Sequence, residues 1–234
     1  MGPEDTGGRK KERAHYPIAP QGIAGPGRDA GRRDNREDTD AIKASRYNHA
    51  MNSRDLTFIV GGARSGKSAH AERLAAASGL PVTYIATARV TGDAEFAERI
   101  AHHRARRPAH WALAEAPLDL AGALDAAAAP SQCVLIDCLT LWLANLLCPS
   151  DADAPLPGWQ ARLDAFAAAC ERARGTVLVV SNEIGMGVVP LGAATRLYVD
   201  ELGRLNQRIA ALADRATLVA AGLALALKAP PRTS

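Results

Sequence analysis

The sequence predicts an α/β fold, a mostly parallel sheet with helices on both faces. Three observations predict it. From Asp55 onward, short β-branched runs alternate with Ala-rich stretches. The runs are almost continuously apolar rather than alternating, which marks strands covered on both sides. The first run also leads straight into a Gly-rich turn and an Ala-rich helix, the order of a strand–loop–helix phosphate-binding unit.

The expected strands are "LTFIV" (56–60), "VTYIA" (82–86), "CVLID" (133–137), "TVLVVS" (176–181) and "ATLVAAG" (216–222). Their β-branched content and shortness favour strand over helix. The expected helices span 67–78, 94–107, 118–128, 139–147, 158–173 and 194–213, and Gly79-Leu80-Pro81 stops the first. "CPSDADAPLPGW" (148–159) reads as a polar, Pro-rich surface loop.

Residues 1–54 read differently. They are rich in Gly, Arg and Asp and poor in large apolar side chains, so they bury too little surface to offset their ordering entropy. The segment is expected to be disordered, with residues 55–234 forming the domain. A basic arm or a transit sequence fits poorly with its many acidic residues. Met51, at the composition boundary, is an alternative start. The N-terminus has no apolar h-region of a secretory signal.

The 234 residues with 47% hydrophobic content suffice for one sizeable core. A net charge of +3 argues against a dedicated nucleic-acid binder. The longest apolar stretch, "CVLIDCLTLWLANLLC", is broken by Asp137, Thr140 and Asn145, so no membrane span is expected. Cys133, Cys138, Cys148 and Cys170 form no CxxC pair. They read as reduced structural thiols of a cytoplasmic protein.

"GGARSGKS" (61–68) has P-loop spacing. Gly61 and Gly66 let backbone N–H groups turn inward around a β-phosphate. Lys67 reaches the β- and γ-phosphates, and the Ser68 hydroxyl ligates Mg²⁺. The helix beginning near Lys67 adds its positive end. Such a loop also needs a carboxylate at the end of a second strand, and Asp137 stands there. Asp137 could equally cap the helix that follows.

Two further stretches remain open on spacing alone. In "AERIAHHRARRPAHW" (97–111), His102 and His103 precede Arg104, Arg106 and Arg107. That pattern fits a solvated helix face, a basic face for nucleic acid, or a phosphate site with an imidazole nucleophile. In "SNEIGMGVVP" (181–190), Asn182, Glu183 and Gly185 fit either a ligand loop or a plain strand-to-helix connection.

Taken together, "GGARSGKSAHAE", "YIATA", "RIAHHRARRPAHW" with Glu115, "LIDCLTLWLANLL", "VSNEIGMGVVP" and "DELGRLNQRIAALAD" resemble one family. It is the bifunctional adenosylcobinamide kinase / adenosylcobinamide-phosphate guanylyltransferase family of cobalamin biosynthesis. The motifs occur in family order and span about residues 56–220. The resemblance implies a RecA-like P-loop α/β domain, homotrimeric, with no nucleic-acid partner. It implies phosphorylation of adenosylcobinamide by ATP or GTP. GTP then guanylylates a histidine, and GMP passes to adenosylcobinamide phosphate, giving adenosyl-GDP-cobinamide.

Carried over by position, the nucleophile is His102. Nucleotide contacts fall on Gly61, Gly62, Ala63, Arg64, Ser65, Gly66, Lys67 and Ser68, on Ala86, Thr87 and Ala88, and on His103, Arg104, Ala105 and Arg106. Glu115 and Asp137 match acidic positions near the nucleotide, with Mg²⁺ at Ser68 and Asp137. Two departures stand out: the long N-terminal extension, and a C-terminal "GLALALK" without the family's proline. A P-loop kinase of another metabolite is the main rival. A RecA-like motor on nucleic acid is a second, and no basic loop suited to it is visible.

Overall fold

The computed structural model describes residues 54–89, 107–149 and 153–229. The expectations for residues 1–53 and 90–106 lie outside that set. β1 (Arg54–Gly61) leads into α1 (Lys67–Ala77), followed by β2 (Val82–Ala86) and β3 (Ala112–Glu115). Next come α2 (Leu120–Ala127), β4 (Cys133–Asp137), α3 (Leu139–Leu147) and α4 (Trp159–Arg172). The chain closes with β5 (Gly175–Asn182), α5 (Ala193–Leu212), β6 (Arg215–Ala220) and β7 (Leu223–Lys228).

Seven strands make one sheet in the order β3-β2-β4-β5-β1-β6-β7. All neighbours are parallel except β6 and β7. β5 stands between the P-loop strand β1 and the Asp137 strand β4.

β1 is buried on both faces from Leu56 to Gly61. Leu56, Phe58 and Val60 join the layer under α2–α5, while Ile59 faces α1. Trp142 and Phe166 meet at 5.2 Å between ring centroids in the larger layer, and the Trp142 indole N–H donates to the Leu118 carbonyl at 3.1 Å. On the other face, Ala71 and Ala75 let α1 lie close against Ile59, Leu135, Leu178, Val180 and Val219. Gly79 adopts φ 68° just past α1, a left-handed helix stop. Asp119 caps α2 by accepting from the Gly122 N–H at 3.0 Å.

Three expectations need correction. The final strand does not run through 222: β6 ends at Ala220, and Ala221 (φ 50°) and Gly222 (φ 80°) form a tight turn into antiparallel β7. Two consecutive positive φ values are those of a type I′ two-residue hairpin turn. β3 is an additional short edge strand. Arg107, placed at the end of the helix expected at 94–107, is in a bend.

Candidate active site

The cradle begins at the carboxyl end of β1. A Cβ on Gly61 would stand 2.3 Å from the Val219 carbonyl oxygen and 2.6 Å from Ser65 Oγ, so only glycine permits the turn. The Ser65 N–H donates to the Gly62 carbonyl at 3.3 Å. Arg64 (φ 56°) and Gly66 (φ 91°) are left-handed, the backbone pattern that forms an anion-binding nest. Gly66 precedes α1 with no side-chain cap, leaving the first N–H groups of the helix for an anion.

Lys67 is buried, and its Nζ donates to the Gly62 carbonyl at 3.1 Å. Its ammonium is folded back over the loop. Ser68 follows, half-buried, in the first turn. The loop is braced from the far end of the chain: the Gly222 N–H donates to the Ser65 carbonyl at 2.9 Å. The β6–β7 turn is therefore part of the cradle's scaffold.

Asp137 ends β4 opposite Ala86, which ends β2. Two residues earlier, Tyr84 lies on the same sheet face, and its hydroxyl donates to Asp137 Oδ2 at 3.0 Å. Burial first, then the Asp137 carboxylate, pushes the phenol well above its ordinary range, so the hydroxyl remains a donor. The Arg107 guanidinium sits 4.4 Å from the Tyr84 ring centroid, a cation–π contact. Arg107, four residues after His103 in the sequence, therefore contacts the ring whose hydroxyl donates to Asp137. Cys138 stands at the N-cap position of α3, with no side-chain cap bond of its own.

Thr87 follows the end of β2. It is fully buried. Its hydroxyl donates to the Cys138 carbonyl at 2.7 Å and accepts from the Cys138 N–H at 2.9 Å. Its carbonyl accepts from Asn145 Nδ2 at 2.8 Å. The side chain locks the ends of β2 and β4 together and does not present its hydroxyl to the cradle. Ala86 and Ala88 are half-buried beside it, and Glu115 is exposed at the end of β3, opposite Ala86. His102, His103, Arg104, Ala105 and Arg106 lie outside the described residues.

The loop after β5 is rooted at the cradle. Asn182 pairs with Gly61 in the sheet register. Its N–H donates to Thr140 Oγ1 at 2.8 Å, and its carbonyl accepts from Asn206 Nδ2 at 2.9 Å. The Glu183 N–H donates to the Gly61 carbonyl at 3.1 Å. Glu183 Oε1 accepts from the Gly185 N–H at 2.8 Å, bending the chain outward. Asn182 Oδ1 and Ser65 Oγ are buried without a partner among the described residues. Unmet acceptors of this kind cost about 1–3 kcal/mol each, which a bound ligand or its water can recover.

Tyr84, Thr140, Asn206 and Gly222 are the site residues that sequence reasoning left out, and Arg107 was named only within the basic run. Tyr84 carried one signal: a tyrosine in an otherwise aliphatic buried strand needs a partner for its hydroxyl. The thiols behave as expected of structural cysteines. Burial pushes Cys133 and Cys138 up to about 11 and Cys170 up to about 12. All four cysteines are free, and Cys148 is exposed. No helix among the described residues is long and apolar enough to cross a membrane.

A family model for cobinamide kinase / cobinamide phosphate guanyltransferase matches residues 57–227. The chain belongs to this family. It is 53% identical over 178 residues to the bifunctional adenosylcobalamin biosynthesis protein CobP of Pseudomonas aeruginosa, covering 76% of this chain and 99% of that protein. It is 38% identical over 182 residues to the bifunctional adenosylcobalamin biosynthesis protein CobU of Salmonella typhimurium, covering 74% and 99% respectively. Among solved structures, the flagellar accessory protein FlaH of Methanocaldococcus jannaschii overlays loosely, with TM-score 0.42 and 15% identity over 81% of this chain and 84% of that one. The family match covers the cradle, Asp137 and the loop after β5.

Proposed function

We propose that this chain catalyses both reactions of its family. In the first, the aminopropanol hydroxyl of adenosylcobinamide attacks the γ-phosphorus of ATP or GTP, and the nucleoside diphosphate leaves. In the second, an imidazole nitrogen of His102 attacks the α-phosphorus of GTP, a P–N bond forms, and pyrophosphate leaves. A phosphate oxygen of adenosylcobinamide phosphate then attacks that phosphorus. The P–N bond breaks and adenosyl-GDP-cobinamide is released. Splitting the transfer lets one cradle release pyrophosphate before the second phosphate enters.

The observation that carries this reading is the Arg107–Tyr84–Asp137 stack. Arg107, the last arginine of the run that follows the histidine pair, contacts the ring that donates to Asp137, which supports a site that uses both. Lys67 and the N–H groups of the loop bind the β- and γ-phosphates. The guanidinium groups of Arg104 and Arg106 offset charge on the leaving pyrophosphate.

Ser68 and Asp137 would hold Mg²⁺. A hydroxyl and a carboxylate are hard oxygen donors, which suit this ion. No group of three or more His, Cys, Asp or Glu side chains suited to a metal occurs among the described residues, in keeping with an ion completed by phosphates and water. When bound, it neutralises charge on the phosphate oxygens.

The working domain in this proposal is residues 55–234, assembled as a cytoplasmic homotrimer, with 1–54 outside it. The test is incubation with α-labelled and, separately, γ-labelled GTP, with and without cobinamide or cobinamide phosphate. The protein should take label from the α position only and pass it to cobinamide phosphate. The γ label should appear on cobinamide. A chain that phosphorylates cobinamide yet never takes the α label is a simple kinase, and the guanylyltransferase half of the proposal fails.

A further inference from the structure

The loop that leaves the cradle is unusual in what it shows to solvent. Met186 is 81% exposed, Val188 96%, Val189 73% and Leu191 97%. Four large apolar side chains in six residues form a patch of the kind that marks a binding surface. The loop is not a loose strand end. It is fixed at its root by the Glu183 bond to Gly61 and at its far end by Arg196, whose guanidinium donates to the Pro190 carbonyl at 3.0 Å and to the Leu191 carbonyl.

Behind the patch is an open cavity of about 370 Å³. Val188, Val189 and Pro190 form one wall, and Asp200, Arg204 and Gln207 of α5 form another. One wall is apolar, and the other offers both donors and acceptors. The cavity begins two residues beyond Asn182, the register partner of the first P-loop glycine.

We propose that this loop and the facing side of α5 seat one edge of the corrin ring of the acceptor. The inference rests on the function proposed above and adds where the macrocycle lies. The acceptor is a flat macrocycle whose rim carries methyl groups and primary amides, with the reacting hydroxyl on a flexible arm. Methyl groups match the apolar wall. Amides, which both donate and accept, match Asp200, Arg204 and Gln207. The cavity admits an edge, so most of the ring stays outside and the arm is left to reach the cradle.

The test is equilibrium dialysis of cobinamide against the full-length chain, read by the corrinoid's visible absorbance, for wild type, Val188→Asp, Met186→Glu and Leu227→Glu. The first two substitutions lie on the patch. Leu227, 58% exposed on β7, is an apolar site on another element. Cobinamide affinity should fall about tenfold or more in Val188→Asp and Met186→Glu and stay at the wild-type value in Leu227→Glu. Wild-type affinity in the patch variants overturns the proposal. So does a parallel loss of GTP affinity, because the residues then act through the cradle. A changed sedimentation coefficient in the patch variants also overturns it, because the patch is then a contact between copies of the chain. Labelling of wild type by α-labelled GTP is read separately. Corrinoid binding on the patch without labelling would fault the proposed reaction and leave the seat intact.

Discussion

On the α2–α5 side of the sheet, Trp142, Phe166, Leu143, Leu146, Leu202 and Ile209 pack against Leu56, Phe58, Val134, Val177 and Val179. On the α1 side the layer is thinner. It is built from Ala71 and Ala75 against Ile59, Leu178 and Val180, and it holds Tyr84 next to Asp137. The first side buries large aromatic and aliphatic groups, where most burial free energy is gained. The second trades that volume for closeness and polar positioning. Stability and chemistry are thus concentrated on opposite faces of the same strands, and single substitutions should separate them.

The largest expected effect is on the α1 side. Lys67→Ala should lower triphosphate affinity and reduce both activities by roughly 10²–10³-fold, with little change in melting temperature. Titration calorimetry with a non-hydrolysable GTP analogue, alongside thermal unfolding, measures the two together. Full affinity in the variant would remove the ammonium from the cradle.

Phe166→Ala should do the reverse. It deletes a fully buried ring tilted against Trp142 and should cost about 3–5 kcal/mol in denaturant unfolding. Activity per folded molecule should persist at low temperature. A comparable loss of turnover in the folded fraction would show that the two faces are not separable.

Tyr84→Phe sharpens the comparison within the α1 side. It keeps the ring under Arg107 and deletes only the donor to Asp137. If Asp137 holds Mg²⁺ as proposed, the Mg²⁺ concentration for half-maximal activity should rise about tenfold, the usual scale for losing a group that orients a metal ligand. An unchanged Mg²⁺ dependence with wild-type turnover would make the tyrosine a packing residue only.

The smallest effect is on pH dependence. Burial raises Cys133 and Cys138 from 9.0 to about 11 and Cys170 to about 12. In the folded chain these thiols keep their protons above pH 9, while the unfolded chain loses them. The unfolded state then binds fewer protons, so stability should fall as pH rises from about 9 towards 12 and be flat with respect to these groups below 9. Unfolding at stepped alkaline pH checks the sign. At pH 8 a thiol reagent should modify Cys148 and spare the other three.

The parts of the fold legible in the sequence were those with local signals. Five of the seven strands were visible because Val, Ile and Leu run together in short stretches. The cradle was visible because glycine spacing reports backbone conformation directly. β3, "ALAE", was not, because a four-residue edge strand with half its residues Ala carries almost no pattern. β7, "LALALK", is composed of helix formers, and its turn has Ala221 at positive φ where Asn or Gly would have announced a hairpin. The Tyr84–Asp137 bond depends on β2 pairing with β4 in a register that sets Ala86 opposite Asp137. That register is a property of the sheet order, which no local stretch encodes. Thr87 adds a further role that no local stretch encodes: its hydroxyl bonds both the N–H and the carbonyl of Cys138 across the sheet.

The central claim is that GMP is carried on His102. The direct measurement is labelling of wild type, His102→Ala and His103→Ala with α-labelled GTP and Mg²⁺, followed by denaturing electrophoresis and acid or base treatment. Wild type and His103→Ala should carry label that is acid-labile and base-stable, as a phosphoramidate is. His102→Ala should carry none while retaining phosphorylation of cobinamide, since transfer to a hydroxyl needs no histidine nucleophile. Label that persists in His102→Ala and disappears in His103→Ala would put the nucleophile one residue on. Label that persists in both variants would contradict the histidine mechanism itself.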